Sequence, residues 1–266
     1  MSRSRFARTG LALVALTLWS IWMSEDLTPF DPSEAAVAGE YDRPAKVPHQ
    51  SRSVVIAKNG IVATSHPLAA QAGLDILKAG GNAADAAITA NAMLGLVEPM
   101  SCGIGGDVFV IYWDNKSKKL YGLNGSGRSP YAINRGIFKD KGLQEIPING
   151  PLAWSVPGCV DGWEMLREKF GSLPFQQLLA DPIRYAEEGF GVSEIIGTSW
   201  AASSDALNEW PDSARTYLPG GQPPKIGQLF TNPDLAWSYR QIAERGADGF
   251  YQGEIAKRIV TFSQAN

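Results

Sequence analysis

The segment Asn124-Gly125-Ser126-Gly127-Arg128-Ser129-Pro130 holds the residue types best suited to gripping a substrate. An arginine guanidinium offers paired N–H donors that match a carboxylate at two points, and flanking glycines let a ligand approach the backbone closely. The same types also serve a surface ion pair. On residue type alone, both roles for Arg128 stay open.

Two other patterns invite chemistry and do not sustain it. Cys102-Gly103-Ile104-Gly105-Gly106-Asp107 has the look of a phosphate cradle, but a dinucleotide fingerprint runs strand, glycines, helix. Here the order is helix, glycines, strand, the third glycine is missing, and no Gly-Lys-Ser/Thr ending makes a P-loop. Close backbone packing explains these glycines. In Thr64-Ser65-His66, neighbouring side chains of an extended chain point opposite ways, so neither hydroxyl is presented to the imidazole. Helix capping by Ser65 accounts for the segment. His49 and His66 are the two histidines, which excludes a histidine-rich metal centre. Cys102 and Cys159 lack CxxC spacing and fit small packing residues.

The elements that must position Arg128 follow from periodicity. Residues 53–58 (SVVIAK) predict a strand, Asn59-Gly60 a hairpin turn, and 61–63 the return. A helix follows, capped by Ser65 or His66, with Pro67 in its first turn and Ala69, Ala72, Gly73, Ile76 and Leu77 on one face. Gly80-Gly81 ends it. Asn82 caps a second helix over 83–94, with Asp85 placed to complete a capping box. Residues 108–113 (VFVIYW) are apolar on both faces and predict a central strand covered on each side; 120–124 return as its partner. Farther on, Asp161 caps a helix over 162–170, a helix-forming run follows Ser172, and Asp181-Pro182 opens a helix closed by Gly189. Residues 193–230 read as irregular. Asn232-Pro233 then starts a helix with Leu235, Ala236, Tyr239, Ile242 and Ala243 on one face.

The whole chain has 266 residues, 44% hydrophobic and 19% charged, with a net charge of −3, which suits one large domain over 51–266. Acidic and basic residues nearly balance and no basic run appears, so nucleic acid is excluded as an expected partner. Residues 1–50 differ. Arg3, Arg5 and Arg8 precede an apolar run over 11–23, too short for a comfortable membrane span of about 20 residues but suited to a signal-peptide core. Export or anchoring through this segment is expected, with Ala36-Val37-Ala38 as a possible cleavage site; a mis-assigned start ahead of a cytoplasmic protein is the alternative. Residues 24–53 read as a linker.

Between Ala63 and Pro130 the order of two small-residue helices, glycine break, apolar hairpin and arginine turn closely resembles the γ-glutamyltransferase family. The late segment NPDLAWSYRQIAERGADGFYQGEIAKRIV is similar to that family's helix and GADAFY region, so the resemblance extends from about Val55 to the end. It implies an α+β fold, the αββα sandwich of N-terminal-nucleophile hydrolases, present here as its N-terminal, large-subunit part. It implies acyl transfer by a threonine freed through self-cleavage, with no metal or organic cofactor, and with γ-glutamyl compounds such as glutathione as donors. That threonine belongs to the family's small subunit, so no catalytic nucleophile is assigned within these residues and the missing small-subunit part is the expected partner. The resemblance gives Arg128 the substrate carboxylate. Aligned through Pro130, Ser126 stands where better-known transferases carry arginine in Phe-Arg-Glu, and the NGSGR form is more like the acylase-like branch. Alternatives are an acylase with a different acyl substrate, a non-catalytic binding protein on a truncated fold, and an unrelated nucleotide-binding enzyme.

Overall fold

The computed structural model describes residues 54–266, with a compact unit from Asn59 to Asn266. The expected leader and linker, including the 11–23 run and Ala36-Val37-Ala38, lie outside the described residues. Helix α1 (Pro67–Lys78) opens as expected, although its cap is His66 rather than Ser65: the His66 Nδ1 accepts the Leu68 N–H at 3.2 Å. Helix α2 (Ala83–Val97) starts with the capping box read from Asn82 and Asp85. Its small residues let α1 close in. A Cβ on Gly73 would stand 3.1 Å from the Ala86 carbonyl oxygen.

Strands β1 (Val108–Asp114) and β2 (Lys119–Gly125) form an antiparallel hairpin, Val108 facing Gly125 and Asp114 facing Lys119. Alternation sends Val108, Val110 and Tyr112 inward, where Tyr112 stacks on Phe170 with ring centroids 4.2 Å apart. The opposite face is bare: Phe109, Ile111 and Trp113 are exposed, Ile111 by 82%. A strand covered on both sides is therefore not what the described residues show; they cover one side. Nor does the strand pair expected over 53–63 appear, since residues 54–64 carry no strand and Val55 and Ile56 are exposed. Apolar sequence makes a strand only where a sheet edge satisfies its backbone. The sheets among the described residues are two-stranded, and residues 54–64 pair with neither.

The remaining elements are α3 (Arg135–Asp140), α4 (Cys159–Phe170), α5 (Phe175–Leu178), α6 (Ala180–Glu188), β3 (Phe190–Gly191), α7 (Glu194–Ala202), α8 (Ser204–Asn208), α9 (Pro211–Tyr217), β4 (Leu229–Phe230), α10 (Pro233–Arg245), α11 (Ala247–Tyr251) and α12 (Glu254–Ala265). The stretch read as irregular, 193–230, holds three helices because buried Ile196 and Trp200 anchor it against the core, overriding its breakers. Helix α4 also begins earlier than expected, leaving Asp161 inside its first turn and Gly158 as cap. The core joins α2, α4 and α10 through Ile88, Val160, Trp163, Tyr239 and Ile242. Its polar atoms are satisfied: the Trp163 indole donates to Asn91 Oδ1 at 2.9 Å and the Tyr239 hydroxyl to the Ala92 carbonyl at 2.7 Å. No helix among the described residues is long and apolar enough to cross a membrane.

Asp85 locks the two ends of this platform together. Fully buried, its carboxylate accepts the Asn82 N–H at 2.9 Å, the Ser172 N–H at 3.1 Å and the Ser172 hydroxyl at 2.6 Å. The Asn82 side-chain amide in turn donates to the Phe170 carbonyl at 2.6 Å. Asp85→Ala strands several donors and should cost about 3 kcal/mol, lowering the melting temperature by roughly 5–10 °C in a thermal scan. An unchanged melting temperature would refute this role.

His66 supplies a second, pH-dependent test. Because its Nδ1 accepts the Leu68 N–H, the neutral ring carries its proton on Nε2, which is buried without a partner among the described residues. Burial lowers its pKa from the ordinary 6.5, against a smaller raising effect of Glu98. The unfolded chain therefore takes up the proton first, so stability is complete above about pH 6.5 and falls as pH drops toward the depressed folded value. His66→Asn keeps a cap acceptor and should flatten that decline in denaturant titrations between about pH 5 and 7.

Candidate functional site

Three glycine-bearing turns converge beside the start of α4. The Gly158 and Cys159 N–H groups both donate to the Gly106 carbonyl, at 3.1 and 3.0 Å, and the Val156 N–H donates to the Arg128 carbonyl at 2.8 Å. Side chains are shut out at the crossing. A Cβ on Gly127 would collide with the Val156 carbonyl, one on Gly158 with the Gly125 carbonyl, and Gly127 sits at φ 73°. These turns border an open cavity of about 610 Å³ that Ser126, Arg128, Pro157, Asp161 and Tyr251 help to line.

Both residues picked from the sequence reach this cavity. Ser126 is half-buried and its N–H donates to Asn124 Oδ1 at 3.0 Å, while the Ser155 hydroxyl donates to the Ser126 carbonyl at 3.4 Å. The Arg128 guanidinium is exposed, donates to the Tyr131 hydroxyl and lies 5.6 Å from that ring's centroid. No carboxylate among the described residues pairs with it. The bland role, a surface ion pair, is thus not realised. Asp161 is the other charged residue lining the cavity.

The 155–158 turn, Asp161 and Tyr251 were not read from the sequence as site residues. Tyr251 lies in the GADGFY segment, and its hydroxyl donates to the Pro157 carbonyl at 2.7 Å and accepts the Asp161 N–H at 3.0 Å. Burial pushes its pKa up to about 12. Positions 90 and 94 residues apart leave no local signal of such a contact.

The Thr64-Ser65-His66 pattern behaves as a cap, whereas close backbone packing does not account for the 102–107 glycines: a Cβ on Gly103 or Gly105 would meet nothing within 4 Å. The 102–107 segment does run from helix to strand and borders a separate cavity of about 430 Å³. The Thr64 hydroxyl donates to the His66 carbonyl at 2.7 Å and accepts the His66 N–H at 3.2 Å, so it does not face the imidazole. Burial pushes the Cys159 thiol up to about 12 and raises Cys102 as well, which disfavours the thiolate form at both. A cavity of about 400 Å³ lined by Trp154, Trp210 and Phe262 shares no lining residue with that of Arg128. No group of three or more potential metal ligands occurs among the described residues.

Comparison with known proteins gives these features a lineage. Residues 69–266 match the family model described as gamma-glutamyltranspeptidase. A glutathione hydrolase proenzyme of Bacillus subtilis is 34% identical over 224 residues, covering 83% of this chain and 38% of that protein. The glutathione hydrolase-like YwrD proenzyme of the same organism is 37% identical over 213 residues, covering 80% and 40%. Among solved structures, cephalosporin acylase from Bacillus halodurans superposes with a TM-score of 0.75 at 45% identity, covering 83% of this chain and 42% of that one. The gamma-glutamyltranspeptidase of Helicobacter pylori gives 0.73 at 30% identity, covering 77% and 60%. The chain therefore spans about two fifths of the length of the curated relatives it matches. Its fold is the α+β fold of N-terminal-nucleophile hydrolases, represented by an N-terminal-derived portion. With three quarters of its length matched, the chain belongs to the gamma-glutamyltranspeptidase family.

Proposed function

We propose that this chain is the large-subunit portion of an acyltransferase or hydrolase that moves γ-glutamyl groups, from glutathione-type donors, to water or amino acids. The observation that carries this reading is Arg128: a guanidinium paired with no carboxylate among the described residues, at a cavity bordered by glycine turns, in a chain of this family. In the proposed reaction a small-subunit portion contributes an N-terminal threonine whose α-amine takes the hydroxyl proton. The alkoxide attacks the γ-amide carbonyl, the leaving amine departs with that proton, and water or an amino acid then releases the acyl group. Arg128 pairs with the substrate α-carboxylate, and Ser126 stands beside it.

The bare hairpin face supports a two-part molecule. Phe109, Ile111, Trp113 and Leu120 form an exposed apolar surface on a two-stranded sheet. Such surface is costly in water and is the natural seat of the complementary portion. Proenzyme relatives favour the same arrangement. The basic-then-apolar start of the chain supports export as its destination. A second reading, an acylase with a different acyl substrate, is favoured by the 45% identity to cephalosporin acylase.

Purified residues 1–266 should show no turnover of γ-glutamyl anilides, whereas the chain produced with its small-subunit portion should self-cleave and become active; turnover by the isolated chain would overturn the proposal. In the assembled enzyme, Arg128→Ala should lower kcat/KM roughly ten- to a hundredfold, from a charge-assisted bond of about 1.5–3 kcal/mol, chiefly through KM and with self-cleavage intact. Arg128→Lys should recover part of that loss and Ser126→Ala should cost less. Retained efficiency toward a γ-glutamyl donor in Arg128→Ala, alongside turnover of other acyl amides, would select the acylase reading.

A further inference from the structure

We infer that Tyr251 is a positioning residue that sets the orientation of Arg128 by bracing the turn on which the arginine rests. The inference rests on the Arg128 cavity being the substrate carboxylate site. Tyr251 closes α11, and its hydroxyl joins both ends of one short stretch: it donates to the Pro157 carbonyl at 2.7 Å and accepts the Asp161 N–H at 3.0 Å. That N–H belongs to the first turn of α4, where backbone donors have no partner within the helix. The next residue back, Val156, donates its N–H to the Arg128 carbonyl at 2.8 Å. A continuous path of bonds therefore runs from the phenol, through 156–157, to the arginine backbone.

Other features give the phenol authority over that path. Its ring packs edge-on against Phe250, with centroids 4.8 Å apart, and Phe250 is itself buried in the core, so the hydroxyl has a fixed root. Between Pro157 and Asp161 lies Gly158, which can have no Cβ because one would meet the Gly125 carbonyl; Cys159 and Val160 after it are buried in the core, so the 156–158 turn ahead of them is the part that the phenol braces. With its pKa raised, the phenol stays a donor at physiological pH. Remove the hydroxyl and the Pro157 carbonyl and Asp161 N–H both lose a partner, the stretch relaxes, and Arg128 loses its fixed direction while keeping its charge.

A double-variant cycle in the assembled, self-cleaved enzyme tests this, with a γ-glutamyl anilide as substrate. Tyr251→Phe keeps the ring and its packing and should raise KM about tenfold with kcat changed less than roughly twofold. In the Arg128→Ala background the same change should add little, because its effect passes through the arginine. Faster hydrogen exchange at the Asp161 amide, with a melting temperature lowered by no more than about 5 °C, should accompany it. Should Arg128→Ala raise KM while Tyr251→Phe does not, or should Tyr251→Phe raise KM equally in both backgrounds, the positioning role is overturned and the substrate reading stands. Should Arg128→Ala itself leave KM unmoved, both fall. If Tyr251→Phe lowers the melting temperature beyond that bound with KM unchanged, Tyr251 is structural and the inference fails.

Discussion

A buried carboxylate must be met by donors on every side or it will not stay buried. Asp85 meets that condition by reaching 87 residues along the chain to Ser172, while Asn82 beside it holds the Phe170 carbonyl. The start of α2 and the end of α4 are thereby one fixed point. Helix α4 has 12 residues, about 18 Å of stiff rod, and its other end opens onto the Arg128 cavity. What is pinned by Asp85 at one end is presented as the candidate site at the other.

At that far end the work is done by backbone. Gly106, Gly125, Gly127 and Gly158 bring three turns into direct contact, and the contacts are carbonyl to N–H or carbonyl to bare Cα. Little side-chain volume intervenes, so the directions of Ser126 and Arg128 follow from main-chain geometry more than from packing around them. The Arg128 guanidinium rests on the exposed Tyr131 and forms no ion pair among the described residues.

What could be read from sequence divides along the range of the forces involved. The Asn82–Asp85 capping box, the Asn232 cap of α10 and the β1–β2 hairpin are set by residues within a few positions of each other, and each stands where its pattern places it. The strand expected over 53–58 and the covered outer face of β1 needed a neighbour that local pattern does not supply. Helices α7 to α9 were hidden because Ile196 and Trp200 are held by distant apolar contacts while Pro, Gly and Ser dominate the local signal. In the site, Arg128 and Ser126 were legible as types; Asp161 and Tyr251 were not, since their meeting depends on α11 folding back over α4.

The close crossing of glycines also bears on how this molecule can change over generations. At 125, 127 and 158 almost any replacement would force carbonyls apart, so these positions form one sterically closed block. Ser126, Arg128 and Asp161 project from the block into open space and meet no such barrier. Substitution is thus sterically open at the projecting residues and closed in the frame that carries them.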